Sequence, residues 1–280
     1  MKVGVSAYSY HGPWSRGEMS LRDIVFDVKR AGAEGVELLD YQFQQPEQGR
    51  EEALAALREA GLPCPIFSVG PNFAKPDGDE RLLELRKVES GVEEARELGA
   101  EVVRVFAGDL SEGMDFDEAY EWIVEGLSAA ADNARSKGVR LALENHGRLA
   151  GRSEQVRRIL DDVRRRCGHD ALGANPDTGN FLLVGQPSHE ALGELAPFAS
   201  MVHFKDFARA EPGHTGHAYE STEGGRYIGT AIGEGEVDLA ACLGALRESG
   251  FDGWLSIEYE GVEDPRTAVP RSIRNARALL

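Results

Sequence analysis

Along the chain, short apolar or β-branched runs alternate with longer segments in which apolar positions recur every three or four residues. The first kind reads as buried strands and the second as amphipathic helices. The predicted strands are 3–7, 35–39, 65–69, 102–106, 140–144, 172–175, 201–204 and 254–258. The predicted helices are 20–31, 48–60, 79–98, 115–136, 153–166, 188–198, 239–249 and 265–278. Ser20 and Asp23 make a capping-box-like helix start, with Asp in place of Glu or Gln. Gly32, Gly61, Gly99, Gly138 and Gly250 stand where helices should stop.

Strict alternation of eight strands with eight helices predicts parallel strands joined by crossover helices. It points to an α/β fold, a (β/α)8 TIM barrel in a single domain over residues 1–280, a normal length for that architecture. A doubly wound open sheet also alternates, but it usually carries a glycine-rich nucleotide turn after its first strand. The turn here, Tyr8-Ser9-Tyr10-His11-Gly12, is neither GxGxxG nor GxxxxGK[ST]. One stretch breaks the rhythm: a long loop, 206–237, rich in Gly, His and Glu, follows the seventh strand. Loops of that length in compact domains are usually functional lids.

Composition narrows the function. Hydrophobic residues make up 41% and charged residues 28%, so a sizeable core is available. The net charge of -17 repels phosphate backbones and anionic membrane surfaces, which argues against nucleic acid and membrane partners. Of the 31 basic residues six are lysine, leaving 25 arginines. Cys64, Cys167 and Cys242 are far apart and lack CxxC spacing, so neither a disulfide framework nor a thiolate zinc site is evident. The first strand is broken by Pro13 before it reaches signal-peptide length, and no run approaches the ~18 apolar residues of a membrane span. The expectation is a cytoplasmic protein.

In a barrel of this kind the active site is built at the C-terminal ends of the strands. Strand five closes on Glu144, strand six on Asp177, strand seven on His203 and strand eight on Glu258. Each alone has an ordinary explanation as a helix cap, an ion pair or a structural histidine. Together, on four consecutive strands, they predict one divalent ion held by three carboxylates and an imidazole, a donor set suited to Mn²⁺, Mg²⁺, Co²⁺ or Zn²⁺.

The motifs LALENHG, GANPDTGNF, VHFKDF, GEGEVD and GFDGWLSIEYEG, with GVSAYSYHG, GAEGVELLD and RVFAG before them, resemble the sugar phosphate isomerase/epimerase superfamily with the xylose isomerase-like barrel. That superfamily includes ketose 3-epimerases, inosose dehydratase and, more remotely, endonuclease IV. The resemblance covers nearly the whole chain. It implies that Glu144, Asp177, His203 and Glu258 are the metal ligands, that Glu144 and Glu258 also act as a catalytic acid/base pair, and that a homo-oligomer is possible. At Asn180 the sequence departs from the DTGH pattern of many members.

The implied activity is a divalent-metal-dependent isomerase or epimerase of a small sugar, keto-sugar or cyclitol, through a metal-stabilised enediolate. The same ion and base also serve a dehydratase of the inosose type. An endonuclease IV-like enzyme would need additional histidines, of which the chain has seven in all, and a non-catalytic sugar-binding protein is a further reading. Substrate-binding candidates are Arg104, His146, Asn180 and Lys205. For Lys205 the alternative is an ion pair with Asp206. Glu37 is expected to point into the barrel and order Arg104 or a ligand. Tyr8, His11, Trp14, Asn72 and Phe73 are candidate pocket walls, and His214 and His217 candidate lid residues.

Overall fold

Because a strand exposes alternate residues to opposite faces, each apolar run must find cover on both sides, and a closed ring of strands inside a ring of helices provides it. The computed structural model describes residues 1–44, 49–110 and 113–280. It has eight parallel strands: β1 (Lys2–Ser6), β2 (Gly35–Leu39), β3 (Ile66–Ser68), β4 (Val102–Val105), β5 (Arg140–Glu144), β6 (Leu172–Asn175), β7 (Val202–Phe204) and, later in the chain, β11 (Trp254–Ile257). They hydrogen-bond in the order β6-β5-β4-β3-β2-β1-β11-β7. Three strands match the predicted bounds, and the others differ by one residue at one or both ends.

The ring closes between β6 and β7 by isolated bridges, Ala174 with Ala199 and Asp177 with His203. At this seam a side chain takes over from the ladder. The His203 N–H donates to Asn175 Oδ1 at 2.8 Å, and the Thr178 N–H donates to the His203 carbonyl at 3.0 Å.

Outside the strands lie α2 (Leu21–Arg30), α3 (Arg50–Ala60), α4 (Gly78–Leu98), α5 (Phe116–Ser136), α6 (Ser153–Cys167), α8 (Ser188–Leu195), α9 (Leu239–Glu248) and α10 (Pro265–Leu279). Two short helices, α1 (His11–Ser15) and α7 (Asn180–Leu183), sit in loops that the periodicity does not reveal. The capping box at Ser20 and Asp23 forms, each side chain meeting the other's backbone N–H. Gln48, the predicted first residue of the second helix, lies outside the described residues. Among the described residues no helix is long and apolar enough to cross a membrane.

The barrel interior is layered. Near the N-terminal ends of the strands Ile66, Val102, Ala142 and Met201 form a buried apolar cluster against Trp254. Gly35 makes room for it, since a Cβ there would lie 3.0 Å from the Trp254 ring and from Pro65. Two residues further along the same strands the inward side chains become polar: Ser68, Arg104, Glu144, His203 and Ser256, all buried.

The stretch after β7 is not an irregular loop. It folds as a three-stranded antiparallel sheet in the order β8-β10-β9, with β8 at Asp206–Arg209, β9 at Tyr219–Glu220 and β10 at Arg226–Thr230. This sheet is pinned at two places. Asp206 accepts from the backbone N–H groups of Gly233, Gly235 and Val237 at 2.9–3.2 Å. Gly229 bridges Gly261 so closely that a Cβ on Gly229 would lie 2.4 Å from the Glu260 backbone.

Candidate functional site

The four strand-end residues meet. Glu144, Asp177, His203 and Glu258 each offer one donor atom, and these atoms lie within 4.8 Å of one another in a fully buried group. His203 Nδ1 stands at the centre, 3.1 Å from Glu144 Oε2, 3.7 Å from Glu258 Oε2 and 3.8 Å from Asp177 Oδ2. His203 Nδ1 and Asp177 Oδ2 make no well-oriented hydrogen bond; their near neighbours are charged groups, Glu144 Oε2 at 3.1 Å from the first and the Lys205 ammonium at 3.0 Å from the second. Three buried carboxylates converging on one imidazole nitrogen fit a hard or borderline divalent cation, which would take the place of the protons the cluster otherwise holds.

Each donor is held from behind. The opposite nitrogen of the imidazole, Nε2, lies 3.1 Å from both oxygens of Glu37, across the barrel on β2. Ser68 and Ser256 both donate to that same carboxylate. A carboxylate on the outer nitrogen fixes the ring and its tautomer, leaving the inner nitrogen free to ligate. Glu37 therefore orders His203, and it makes no hydrogen bond to Arg104. Asp177 Oδ1 accepts from the backbone N–H groups of Gly179 and Asn180, at 2.9 Å each, which turns Oδ2 inward. Glu144 is held by Asn175 Nδ2 at 3.2 Å, Asn180 Nδ2 at 3.3 Å and Arg104 Nε at 3.2 Å.

Lys205, next but one along the chain from His203, is buried with its ammonium 2.6 Å from Glu258, 3.0 Å from Asp177 and 3.0 Å from Glu260. It makes no pair with Asp206, which is engaged with the turn at 233–237. Asn180 is buried and does not line the cavity. Its amide donates to Glu144 and to the Asn145 carbonyl, while its oxygen accepts from Lys205 at 3.4 Å.

The charges set one another. Burial opposes ionisation of Glu144, but His203 and Arg104 outweigh it and hold that carboxyl below the usual range. Glu258 is lowered in the same way by Lys205 and His203, against the cost of burial. Asp177 goes the other way: burial, with Glu144 and Glu258 nearby, pushes it up to about 7 although Lys205 opposes. Burial alone would lower His203, yet Glu37, Glu258 and Glu144 hold it well above its ordinary value. Without a cation the cluster thus retains protons that a bound ion would displace.

Above the quartet opens a cavity of about 290 Å³, walled in part by Tyr8, Arg104, Phe106, His146, Lys205 and Glu260. His146 stacks on Phe106 with ring centroids 4.2 Å apart, and the Arg104 guanidinium lies 4.1 Å from the centroid of the same ring. Glu260 was not singled out in the sequence, although it follows Glu258 by two in the segment just past β11. Tyr219, on the small sheet, is pushed up by burial and by Glu260, which places it beside that carboxylate. His11, Trp14, Asn72 and Phe73 do not line the cavity, and neither do His214 and His217. Instead His11 bonds the Tyr41 hydroxyl at 3.2 Å, and in the connection between β8 and β9 the His214 ring lies 3.3 Å from the His217 carbonyl.

A family model described as xylose isomerase-like TIM barrel matches residues 25–279. Inosose dehydratase of Lacticaseibacillus casei is 27% identical over 158 residues, which is 55% of this chain and 51% of that protein. The chain therefore matches about half the length of such curated relatives. A D-tagatose 3-epimerase-like protein superposes with a TM-score of 0.74 at 21% identity, covering 100% of this chain and 98% of the other. The IOLI protein, whose structure holds a zinc atom, superposes with a TM-score of 0.76 at 20% identity, covering 100% and 96%. At those identities the two superpositions show a shared fold.

Proposed function

The chain belongs to the xylose isomerase-like TIM barrel family, and on that premise we propose that it is a divalent-metal-dependent lyase removing water from a polyhydroxylated ketone. Glu144, Asp177, His203 and Glu258 would hold the ion, and a divalent ion bound there would supply the Lewis acidity that makes the C–H beside a substrate carbonyl easier to deprotonate. Glu258 is the base for that proton. Of the paired glutamates it is the freer one: its hydrogen-bonded neighbour is Lys205, whereas Glu144 is tied by Arg104, Asn175 and Asn180.

The observation that carries the lyase reading is Lys205. Its ammonium, buried in the cavity wall between Glu258 and Glu260 and held charged by Asp177, Glu258 and Glu260, is a fixed hydrogen-bond donor beside the base. Glu258 takes the proton from carbon, the carbon–oxygen bond to the β-hydroxyl breaks as the double bond forms, and the departing oxygen, steadied by the Lys205 ammonium, leaves as water with the proton that Glu258 gives up. Arg104 and the stacked Phe106 and His146 rings shape part of the wall. The curated name of the L. casei relative supports the same reading.

The isomerase or epimerase reading rests on a separate observation: the Glu144 and Glu258 carboxylates both reach the point marked by His203 Nδ1. Such a pair can take a proton from one side of a carbon and return it to another position. Incubating the metal-loaded protein with an inosose, 3-dehydroshikimate and D-tagatose in deuterium oxide separates the two. Loss of water by mass spectrometry supports the lyase. Deuterium at one carbon with no loss of water supports the isomerase or epimerase. Neither change with any of the three counts against both.

A further inference from the structure

The cavity wall carries more carboxylates than its cations can pair. Among the residues that line it, Asp40, Glu144, Glu258 and Glu260 are acidic, while Lys87, Arg104 and Lys205 are basic. Each cation is already engaged. Lys87 donates to the Gly70 carbonyl at 2.7 Å and lies 3.7 Å from Asp40, and Arg104 pairs with Glu144 at 3.2 Å. Lys205 stands among Glu258, Asp177 and Glu260, at 2.6, 3.0 and 3.0 Å. Three carboxylates around one ammonium leave negative charge in excess. Asp177 and Glu258 belong to the quartet that a divalent ion would neutralise, whereas Glu260 stands outside it.

The position of Glu260 is also fixed. Its side chain is 10% exposed. Behind it Gly229 of β10 bridges Gly261, so closely that the main chain has no room to draw the carboxylate back. One residue earlier the Tyr259 N–H donates to Ser9 Oγ at 2.9 Å. Lys205 occupies Oε1 at 3.0 Å. A carboxylate can accept roughly four hydrogen bonds, so Glu260 keeps capacity for donors that enter the cavity. Holding a nearly enclosed charge there costs solvation, and the hydroxyl groups of a bound substrate would restore it.

We propose that Glu260 is the residue that sorts substrates by charge: it accepts hydrogen bonds from the hydroxyls of an uncharged polyhydroxylated ketone and turns away ketones that carry a carboxylate or a phosphate. A hydroxyl beside Glu260 donates to a charged acceptor, which is a stronger bond than one between neutral groups. An anion in the same place meets a like charge, and among the described residues lining the cavity no cation is left unpaired to compensate it. The inference rests on the cavity being the substrate site of the enzyme proposed above, and it narrows the substrate class of that site.

The test uses two ligands of one shape and different charge, shikimate and its carboxamide, bound to the metal-loaded protein and measured by calorimetry. Any attraction of the acid to the ion is common to wild type and variants, so the readout is the change in the ratio of the two affinities. Glu260→Gln should move that ratio towards the acid by about 10-fold or more, and Glu260→Asp, which keeps the charge, should move it far less. An unchanged ratio in Glu260→Gln, an equal shift in both variants, or a wild-type protein that binds neither ligand overturns the proposal. Neither ligand has the ketone that the reaction needs, so the two readings fail separately. Water loss from a ketone with an unchanged ratio removes this proposal alone, and a shifted ratio in a protein that dehydrates no ketone removes the lyase alone.

Discussion

The interior of the barrel contains two layers drawn from the same strands, two residues apart. Val102 lies below Arg104, Ala142 below Glu144, Met201 below His203 and Ile66 below Ser68. The lower layer is apolar and closed by Trp254. The upper one gathers at least seven charged or ionisable groups: Glu37, Arg104, Glu144, Asp177, His203, Lys205 and Glu258, all buried. One strand period therefore changes the role of a position from burying area to holding charge. The lower layer stabilises through the hydrophobic effect and tight packing. The upper layer concentrates buried carboxylates whose desolvation is offset by His203, Lys205 and Arg104, an arrangement that favours function over stability.

Substitutions in the two layers should separate these roles. The largest effect is expected at Glu258→Gln, which should lower turnover by ~10²–10⁴-fold if Glu258 moves the proton, with the circular dichroism spectrum unchanged. In the lower layer Met201→Ala should cost about 2–5 kcal/mol in denaturant unfolding and leave ion affinity, measured by calorimetry, near the wild-type value. Glu37→Gln, in the upper layer behind His203, should weaken the ion by ~10–100-fold, the usual cost of losing a partner behind a ligand. If Met201→Ala weakens the ion more than Glu37→Gln does, the division into layers fails.

The smallest effect is a pH dependence. With ion removed, Asp177 is easier to protonate in the folded chain than in the unfolded one, because its carboxyl is raised from 3.8 to about 7. Its contribution to stability is therefore present at low pH and is lost as pH rises through about 7. In chelator, Asp177→Asn should gain on wild type in melting temperature between pH ~4 and ~7 and then hold a constant lead. With saturating ion the order should reverse, since the variant loses a ligand. A lead that does not change with pH would show that Asp177 is not raised.

The upper layer was legible in the sequence because four consecutive apolar runs lead into a ligand-type residue at the end of the barrel where active sites are built. That reasoning reached Glu144, Asp177, His203 and Glu258, and it stopped short of Glu260, two residues beyond Glu258. It could not assign partners. Glu37 and His203 are joined across the barrel, a relation set by ring closure and absent from local spacing. Asn180 and Lys205 face inward toward other site residues because the short helix 180–183 and the tight β7–β8 junction turn them there. The small sheet was hidden for a related reason: β9 has two residues, too few for alternation to show, and β10 carries Gly229 where an apolar position would have marked a strand.

Asn175 gives the seam between β6 and β7 a further meaning. Its side chain stands in for a rung of the ladder, receiving the His203 N–H and giving a hydrogen bond to Glu144. The hoop of strands is thus fastened with a clasp made from the parts that would grip the ion. An empty clasp should breathe, and a filled one should stay shut. Slowed amide exchange at residues 175–178 and 203, with little change at the opposite joint between β2 and β3, would make ion occupancy visible as the closing of the ring.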